Sequence, residues 1–205
     1  TSFFKKRKFK ISEIFLNEKF NFDFVINDIK PLHSASKKDI SFFDSLVYKK
    51  DLDHTNCGIC ITTLNLEKYL PEKIPRILVK NVLFELSRIL KKIYPEADVD
   101  YPDLSLKTIK KNQYKDVKFG NNVLIGKNVK IGKNSLIGSN SIIEQNTSLG
   151  KNCVIGSNVV LKNSIIGNRV VIQDGCKIGQ KGFGFIPLKE KNIKFPHIGK
   201  VIISD

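Results

Sequence analysis

The chain has no long apolar run. No stretch approaches the roughly 20 consecutive apolar residues with which a helix crosses a bilayer, and the start of the sequence lacks the apolar core of a signal peptide. Helix-turn-helix, zinc-finger and RNA-binding aromatic motifs are also missing, which argues against a nucleic-acid partner. We therefore expect a soluble, cytoplasmic protein without an integral membrane segment.

Cysteine is scarce, and its arrangement gives little support for a metal site. Of four cysteines, Cys57 and Cys60 form a CxxC motif, but no second CxxC or paired histidine completes a tetrahedral site. The motif lies in a run that reads as a strand, where residues three apart point to opposite faces. We expect these two sulfurs not to converge on one ion, and we assign the chain no metal and no cofactor.

Negative charge is in deficit. There are 35 Lys and Arg residues against 20 Asp and Glu residues, which gives a formal charge of +15. This balance favours an anionic partner, such as a phosphorylated sugar or an acidic protein. The lysines are spread along the chain, however, and only residues 3–10 look like a basic cluster. The alternative is therefore that the positive charge belongs to an ordinary solvated surface.

The first half of the chain has the pattern of a small α/β domain. Short apolar runs at 59–62 and 74–79 predict strands. Residues 81–94 have apolar side chains at helical spacing, and Pro95 then ends the predicted amphipathic helix. We place an α/β domain at 1–98, followed at 99–111 by a linker or a degenerate first coil.

The second half is a six-residue repeat. Large apolar residues stand six apart, and the spacing resumes after one deleted residue: Phe119, Ile125, Ile131, Ile137, Ile143, Leu149, Ile155, Leu161, then Ile166, Ile172 and Ile178. A glycine usually follows. Such a period predicts a parallel β-helix, in which short strands point one large and one small residue inward. We place it at 112–205.

The other positions of each hexad have their own expected places. Small or β-branched residues, among them Cys153 and Cys176, should point inward as ordinary core residues. Corner residues such as Lys127, Asn128 and Asn134 should face solvent, where asparagine tolerates the left-handed backbone conformation.

The repeat resembles the hexapeptide-repeat transferases, whose coils wind left-handed. Within that superfamily, the runs 178–185 (IGQKGFGF) and 196–203 (PHIGKVII) look like a loop excursion of the UDP-3-O-acylglucosamine N-acyltransferases of lipid A biosynthesis. The segment 40–43 with Tyr48 is similar to that family's uridine-binding segment. The resemblance implies a left-handed parallel β-helix preceded by a small α/β, uridine-nucleotide-binding domain.

The resemblance also implies substrate-binding residues. Phe42 and Tyr48 match an aromatic pair that sandwiches the uracil, and Ser45 stands where the family has an asparagine that hydrogen-bonds the base. The alternative is that Phe42 and Tyr48 pack in the core from one face of a strand. Further expected substrate-binding residues are those of the loop: Gly182, Phe183, Gly184, Phe185 and His197. A purely structural loop is the alternative there.

The implied reaction transfers a 3-hydroxyacyl group from acyl carrier protein to the 2-amine of UDP-3-O-acylglucosamine, in a homotrimer. A histidine is the general base in that family, and it corresponds to a position downstream of Asp205; His33, His54 and His197 do not match it. We therefore name no catalytic residue and expect a β-helix truncated at its C-terminal end.

Two other readings remain. The chain is alternatively a non-catalytic, truncated UDP-sugar-binding protein or a trimeric β-helix scaffold. A hexapeptide-repeat zinc enzyme of the carbonic anhydrase type would need several histidines between neighbouring coils, and residues 117–181 contain none.

Overall fold

The structure is a computed structural model that describes residues 3–110 and 113–205. The chain forms two compact units. The α/β unit comprises residues 6–98 and 184–196, and the β-helix unit comprises the remaining described residues. The junction predicted between the linker and the β-helix, at 111 and 112, lies outside the described residues. No helix within the described part is long and apolar enough to cross a membrane.

The α/β unit contains a four-stranded parallel sheet. Its helices are α1 (Ile11–Ile14), α2 (Leu64–Glu67) and α3 (Val82–Ile93), with 3-10 helices at Leu32–Ser34 and Leu46–Leu52. The strands, in spatial order, are β1 (Asp28–Ile29), β2 (Asp39–Phe43), β3 (Ile59–Thr62) and β4 (Arg76–Leu78). All neighbouring pairs are parallel. Every residue of β3 is buried, as expected for a central strand covered on both faces.

Helix α3 confirms the predicted amphipathic helix. Asn81 caps it, because its side-chain Oδ1 accepts a hydrogen bond from the Phe84 amide at 2.9 Å. Lys91 and Lys92 lie in the last turn, where positive charge suits the helix dipole. The buried stripe consists of Val82, Leu86, Ser87, Ile89, Leu90 and Ile93.

The β-helix unit is built from strands of two or three residues. They are β5 (Lys107–Thr108), β6 (Lys118–Phe119), β7 (Leu124–Ile125), β8 (Lys130–Ile131), β9 (Leu136–Ile137), β10 (Ile142–Ile143), β11 (Ser148–Leu149), β12 (Val154–Ile155), β13 (Val160–Leu161), β14 (Ser164–Ile166), β15 (Val171–Ile172) and β16 (Lys177–Ile178). The last strand of this unit is β19 (Val201–Ile203), which follows a hairpin of β17 (Phe185–Pro187) and β18 (Asn192–Lys194) that belongs to the α/β unit.

The strands stack into three parallel sheets, which confirms the predicted β-helix. The sheets have the orders β16-β13-β10-β7-β5, β19-β14-β11-β8 and β15-β12-β9-β6. Ile142 pairs with Leu124 on one side and with Val160 on the other. Each partner is 18 residues away in the sequence (142 − 124 and 160 − 142). One coil therefore contains three hexads, and the large apolar residues form one continuous core.

The small hexad positions point inward as predicted. Ser135, Ser141, Thr147 and Cys153 are completely buried, whereas Cys176 is only half-buried. The Ser141 hydroxyl is satisfied by the backbone, because it donates to the Gly156 carbonyl oxygen at 2.8 Å and accepts from the Val159 amide.

Residues 99–108, which we call the strap, cover the β7 edge of the sheet β16-β13-β10-β7. Its strand β5 pairs antiparallel with β7, whereas the coils pair in parallel. The Asp103 carboxylate accepts hydrogen bonds from the Gln145 amide at 2.7 Å and from the Ser105 amide at 2.8 Å. The strap therefore closes an edge that would otherwise expose unpaired backbone groups.

A buried charge pair lies beside the strap. Glu144 and Lys162 occupy hexad positions that hold glycine in most coils, and their charged groups meet at 3.0 Å. Asp100 of the strap adds a second contact to Lys162, at 3.4 Å. Burial raises the pKa of the Glu144 carboxyl, although Lys162 acts in the opposite direction. Burial would lower the pKa of Lys162, but its two carboxylate partners outweigh burial and raise it.

Candidate functional site

The segment that begins with Phe42 lies at the carboxyl end of β2. Phe42 pairs with Ile61 of the buried strand β3. Successive residues of a strand point to opposite faces, and while Phe43 is completely buried, Phe42 is only half-buried. The phenyl ring of Phe42 is thus held by a rigid central strand and is still partly accessible. Carboxyl ends of parallel strands are the usual place for ligands in open α/β sheets.

The chain leaves β2 through a short turn that Ser45 caps. The Ser45 hydroxyl accepts a hydrogen bond from the Val47 amide at 3.3 Å, and the Ser45 carbonyl accepts one from the Tyr48 amide at 3.2 Å. Tyr48 lies on the 3-10 helix Leu46–Leu52 and is 49% exposed. The alternative in which Phe42 and Tyr48 share one face of a strand is therefore wrong, because the strand ends at Phe43.

Asp44 is a feature of this segment that the sequence analysis did not identify. Its Oδ1 atom is buried and has no hydrogen-bond partner in the described part of the chain. A buried carboxylate oxygen without a donor is costly. No sequence pattern singles out this oxygen, since an aspartate after a strand is common in turns.

The loop predicted to bind substrate is an excursion between two coils. It leaves the β-helix after β16 and returns in β19, which pairs in parallel with β14. Within the β-helix unit, Gly182 and His197 come together, because the Gly182 amide donates a hydrogen bond to His197 Nδ1 at 2.7 Å. A Cβ atom on Gly182 would lie 2.6 Å from that nitrogen. Glycine is required there by the close approach of the imidazole ring.

The remaining loop residues belong to different units. Phe183, in the β-helix unit, is 88% exposed. Gly184 and Phe185 belong to the α/β unit, where β17 and β18 form an antiparallel hairpin. A Cβ atom on Gly184 would meet nothing within 4 Å.

The other histidines of the chain lie at the surface of the α/β unit. His33 is exposed and lies 4.0 Å from the Asp51 carboxylate, and His54 is exposed as well. Over residues 3–110 and 113–205, there is no group of three or more His, Cys, Asp or Glu side chains that could hold a metal ion.

One sequence argument about the cysteines is wrong. Strand β3 begins at Ile59, so the alternation of a strand does not extend to Cys57. Both side chains are buried in one core cluster, and the Cys60 thiol donates a hydrogen bond to the Ile61 carbonyl oxygen at 3.8 Å.

Known families match both halves of the chain. Residues 23–92 match the family model LpxD, UDP-3-O-(3-hydroxymyristoyl) glucosamine N-acyltransferase. Residues 115–147, 128–163 and 146–180 match the bacterial transferase hexapeptide model. The first match includes Phe42, Asp44, Ser45 and Tyr48, and the second ends shortly before Gly182.

Curated relatives are similar over most of this chain. UDP-3-O-acylglucosamine N-acyltransferase 2 of Nitrobacter winogradskyi is 39% identical over 191 residues, which is 89% of the chain and 56% of the relative. The protein of the same name from Legionella pneumophila is 40% identical, over 96% of the chain and 58% of the relative. UDP-3-O-acylglucosamine N-acyltransferase of Rhodopseudomonas palustris is 39% identical, over 89% and 53%. The chain thus spans a little more than half the length of these relatives.

Proposed function

Because the chain belongs to the UDP-3-O-acylglucosamine N-acyltransferase family, we propose that it serves the transfer of a 3-hydroxyacyl group from acyl carrier protein to the 2-amine of UDP-3-O-acylglucosamine in lipid A biosynthesis. Its own part in that reaction is to bind the uridine nucleotide in the α/β unit. The observation that carries this proposal is the arrangement of Phe42, Asp44 and Tyr48 around the end of β2.

Each residue of this arrangement has a chemical role toward a uracil ring. Phe42, held by the sheet, and Tyr48, on the 3-10 helix, offer aromatic faces, and stacking a base on such a face contributes about 1–3 kcal/mol. The unpartnered Asp44 Oδ1 accepts a hydrogen bond from a base N–H. Ser45 replaces the family's asparagine, and its hydroxyl already accepts from the Val47 amide. We therefore assign Ser45 mainly to shaping the turn, with Asp44 supplying the polar contact.

The loop supplies apolar surface for the acyl chain. Phe183 and Phe185 expose large parts of their rings, and burying such surface against a hydrocarbon stabilises binding at about 25 cal/mol per Å². His197 positions the loop through the Gly182 amide.

The acyl transfer itself needs a base and an oxyanion donor. The 2-amine attacks the thioester carbonyl, a general base takes the amine proton, and a backbone amide stabilises the oxyanion. We assign the base to none of the three histidines: His33 and His54 are at the surface of the α/β unit, and His197 Nδ1 is occupied by Gly182.

We also propose that the protein acts as a homotrimer. The outer face of the sheet β15-β12-β9-β6 carries a stripe of aliphatic side chains in register, Leu136, Val154 and Val171. All three are exposed in the single chain. Such a stripe suits a second copy of the chain better than water.

The nucleotide site is tested by calorimetry of UDP-N-acetylglucosamine binding. Phe42→Ala and Tyr48→Ala are each expected to weaken binding by about 5- to 150-fold, the equivalent of one lost stacking contact. The matched control is Phe84→Ala, because Phe84 is another partly exposed aromatic residue of the same unit, on α3. An equal loss in the control would mean that the unit is merely destabilised.

A second measurement separates the enzyme from the alternative scaffold. Product formation is followed with an acyl carrier protein thioester and UDP-3-O-acylglucosamine. Nucleotide binding without turnover would support the non-catalytic reading of this chain, and failure of the wild-type chain to bind the nucleotide would contradict the proposal.

A further inference from the structure

A basic cavity lies at the amino end of strand β2, within the α/β unit. Its volume is about 690 Å³, and its lining residues come from three separate segments of the chain, around positions 6–8, 25–27 and 36–38. Half of the lining residues are lysines: Lys6, Lys8, Lys37 and Lys38. The fold therefore brings part of the basic cluster at 3–10 together with two lysines that lie about 30 residues later in the sequence.

Backbone hydrogen bonds fix the three segments to one another. The Ile26 amide donates to the Phe9 carbonyl oxygen at 2.8 Å, and the Asn27 amide donates to the Lys38 carbonyl oxygen at 2.7 Å. The middle segment is thus bonded to both of the segments that carry lysines. The backbone around the cavity is set by the fold, so a ligand has less ordering to impose when it binds.

A buried aspartate holds the wall that contains Ser36. The Asp39 carboxylate is completely buried and accepts hydrogen bonds from the Ser36 amide at 2.8 Å and from the Ser36 hydroxyl at 2.6 Å. It also accepts from the Asn27 side-chain amide at 3.1 Å and pairs with the Lys30 ammonium at 3.1 Å. Because Lys30 neutralises Asp39, this carboxylate orders the wall without cancelling the charge of the lysines that line the cavity.

Three of the four lining lysines have no acidic partner among the described residues. Lys6 lies 3.5 Å from the Asp28 carboxylate. Lys8, Lys37 and Lys38 are exposed, and none of them is within ion-pair distance of a carboxylate in the part of the chain that the structure describes. Like charges that line one concave surface repel each other and produce a positive potential there. A bound anion relieves that repulsion.

The size and the chemistry of the cavity favour a small phosphorylated molecule. Its volume lies within the range of about 300–1,000 Å³ that is typical of small-molecule sites. The lysine ammonium is a compact charge with three N–H donors, which suits the clustered oxygens of a phosphate group. Several such donors on different segments suit a ligand that carries more than one negative charge.

We propose that Lys8, Lys37 and Lys38 form a binding site for the phosphate groups of a small phosphorylated molecule. This site is separate from the nucleotide site, because Lys37 and Lys38 precede the first residue of β2, whereas Phe42 lies near its last residue. The proposal does not depend on the acyl-transfer reaction.

The test is calorimetry of the whole chain with inorganic pyrophosphate as the probe. Lys8→Gln is expected to weaken binding by about tenfold, and Lys37→Gln combined with Lys38→Gln by about 10- to 100-fold, as expected for lost hydrogen bonds to a charged group. The matched control combines Lys19→Gln with Lys68→Gln, because both lysines are exposed on the same unit and outside the cavity. It removes the same charge as the double variant and should bind pyrophosphate within about twofold of the wild type.

Two further titrations identify the site and the class of ligand. In the first, the chain is saturated with UDP-N-acetylglucosamine before pyrophosphate is added, and the affinity for pyrophosphate should remain within about twofold. In the second, citrate replaces pyrophosphate, because it carries a similar charge on carboxylates, and it should bind at least about tenfold more weakly.

Each of four results would overturn the proposal. The first is a wild-type chain that does not bind pyrophosphate, and the second is an equal loss of affinity in the control, which would reduce the effect to net charge. The third is displacement of pyrophosphate by UDP-N-acetylglucosamine, which would place the anion in the nucleotide site. The fourth is citrate binding as tightly as pyrophosphate, which would contradict the assignment to phosphate. The unfolding midpoint of each variant, followed by circular dichroism, shows whether a loss of binding reflects a loss of fold.

Discussion

Asparagine and glycine have different tasks in the hexads. The backbone turns through the left-handed region at asparagine in most corners, for example at Asn128 (φ 59°) and Asn140 (φ 58°), where asparagine costs less than most residues. The glycine after the large apolar residue instead makes room. A Cβ atom on Gly138 would lie 2.5 Å from the Gly156 carbonyl carbon of the next coil. Repeated small residues thus set how closely the coils stack.

Asp44 gives the sharpest test of a single residue in the nucleotide site. Asp44→Ala removes the buried Oδ1 that lacks a partner. Hydrogen bonds to charged groups contribute about 1.5–3 kcal/mol, so the dissociation constant of UDP-N-acetylglucosamine should rise about 10- to 150-fold. Since the free protein loses an unsatisfied buried atom, its unfolding midpoint should stay the same or rise.

The two readouts for Asp44 point in opposite directions, which distinguishes a binding role from a structural one. Asp53→Ala is the matched control, because Asp53 is exposed at the other end of the same 3-10 helix. A loss of stability in Asp44→Ala without a change in nucleotide affinity would contradict our assignment.

Among the elements, the strap is the one that closes the β-helix. Asp103 is buried, and its carboxylate anchors the strap by accepting hydrogen bonds from the Gln145 amide and from Ser105. The Ser105 hydroxyl in turn accepts a hydrogen bond from the Lys127 amide at 2.8 Å. Asp103→Ala leaves these donors without an acceptor and should lower the free energy of unfolding of the β-helix unit by about 2–3 kcal/mol.

The control for the strap is Asp100→Ala. Asp100 also belongs to the strap, but its side chain is partly exposed and it pairs with Lys162 at 3.4 Å, which Glu144 still neutralises. The expected loss is therefore below about 1 kcal/mol. Chemical denaturation followed by circular dichroism measures both variants, and equal losses would show that Asp103 does not anchor the strap.

The elements differ in how far the sequence predicts them. The spacing of Ile125, Ile143 and Leu161 predicts the coils because each hexad repeats the same local geometry. Helix α3 is predicted because its stripe and its stop at Pro95 are local signals. The antiparallel strand β5 follows no repeat, and its place depends on contacts with Gln145, some 40 residues away (145 − 103 = 42).

The candidate site is also predictable only in part. The resemblance identifies Phe42 and Tyr48 as ring positions, but their roles remain predictions. The buried, unpartnered oxygen of Asp44 emerges only from three-dimensional packing. The strand predicted to include Cys57 begins two residues later, at Ile59, because sequence patterns place such boundaries poorly.

For the molecule as a whole, the outer faces of the β-helix sheets decide how copies associate. The stripe of Leu136, Val154 and Val171 lies on one sheet. A neighbouring sheet instead presents Lys130 and Ser148 and then Ile165 and Ile202. The first face also carries Lys118, beside Leu136, but its three other positions are all aliphatic, and it is the face that we assign to the homotrimer.

Val171→Glu tests that assignment. Val171 is 67% exposed in the single chain, so a glutamate there leaves the fold of each chain intact. In a trimer each copy would bury one unpaired carboxylate, which costs about 3 kcal/mol or more. Sedimentation of this variant should then show monomers.

Ile202→Glu is the matched control, because Ile202 is 61% exposed on the neighbouring sheet, and this variant should remain a trimer. Dissociation of Ile202→Glu alone would move the interface to that sheet, and a monomeric wild type would contradict the trimer itself.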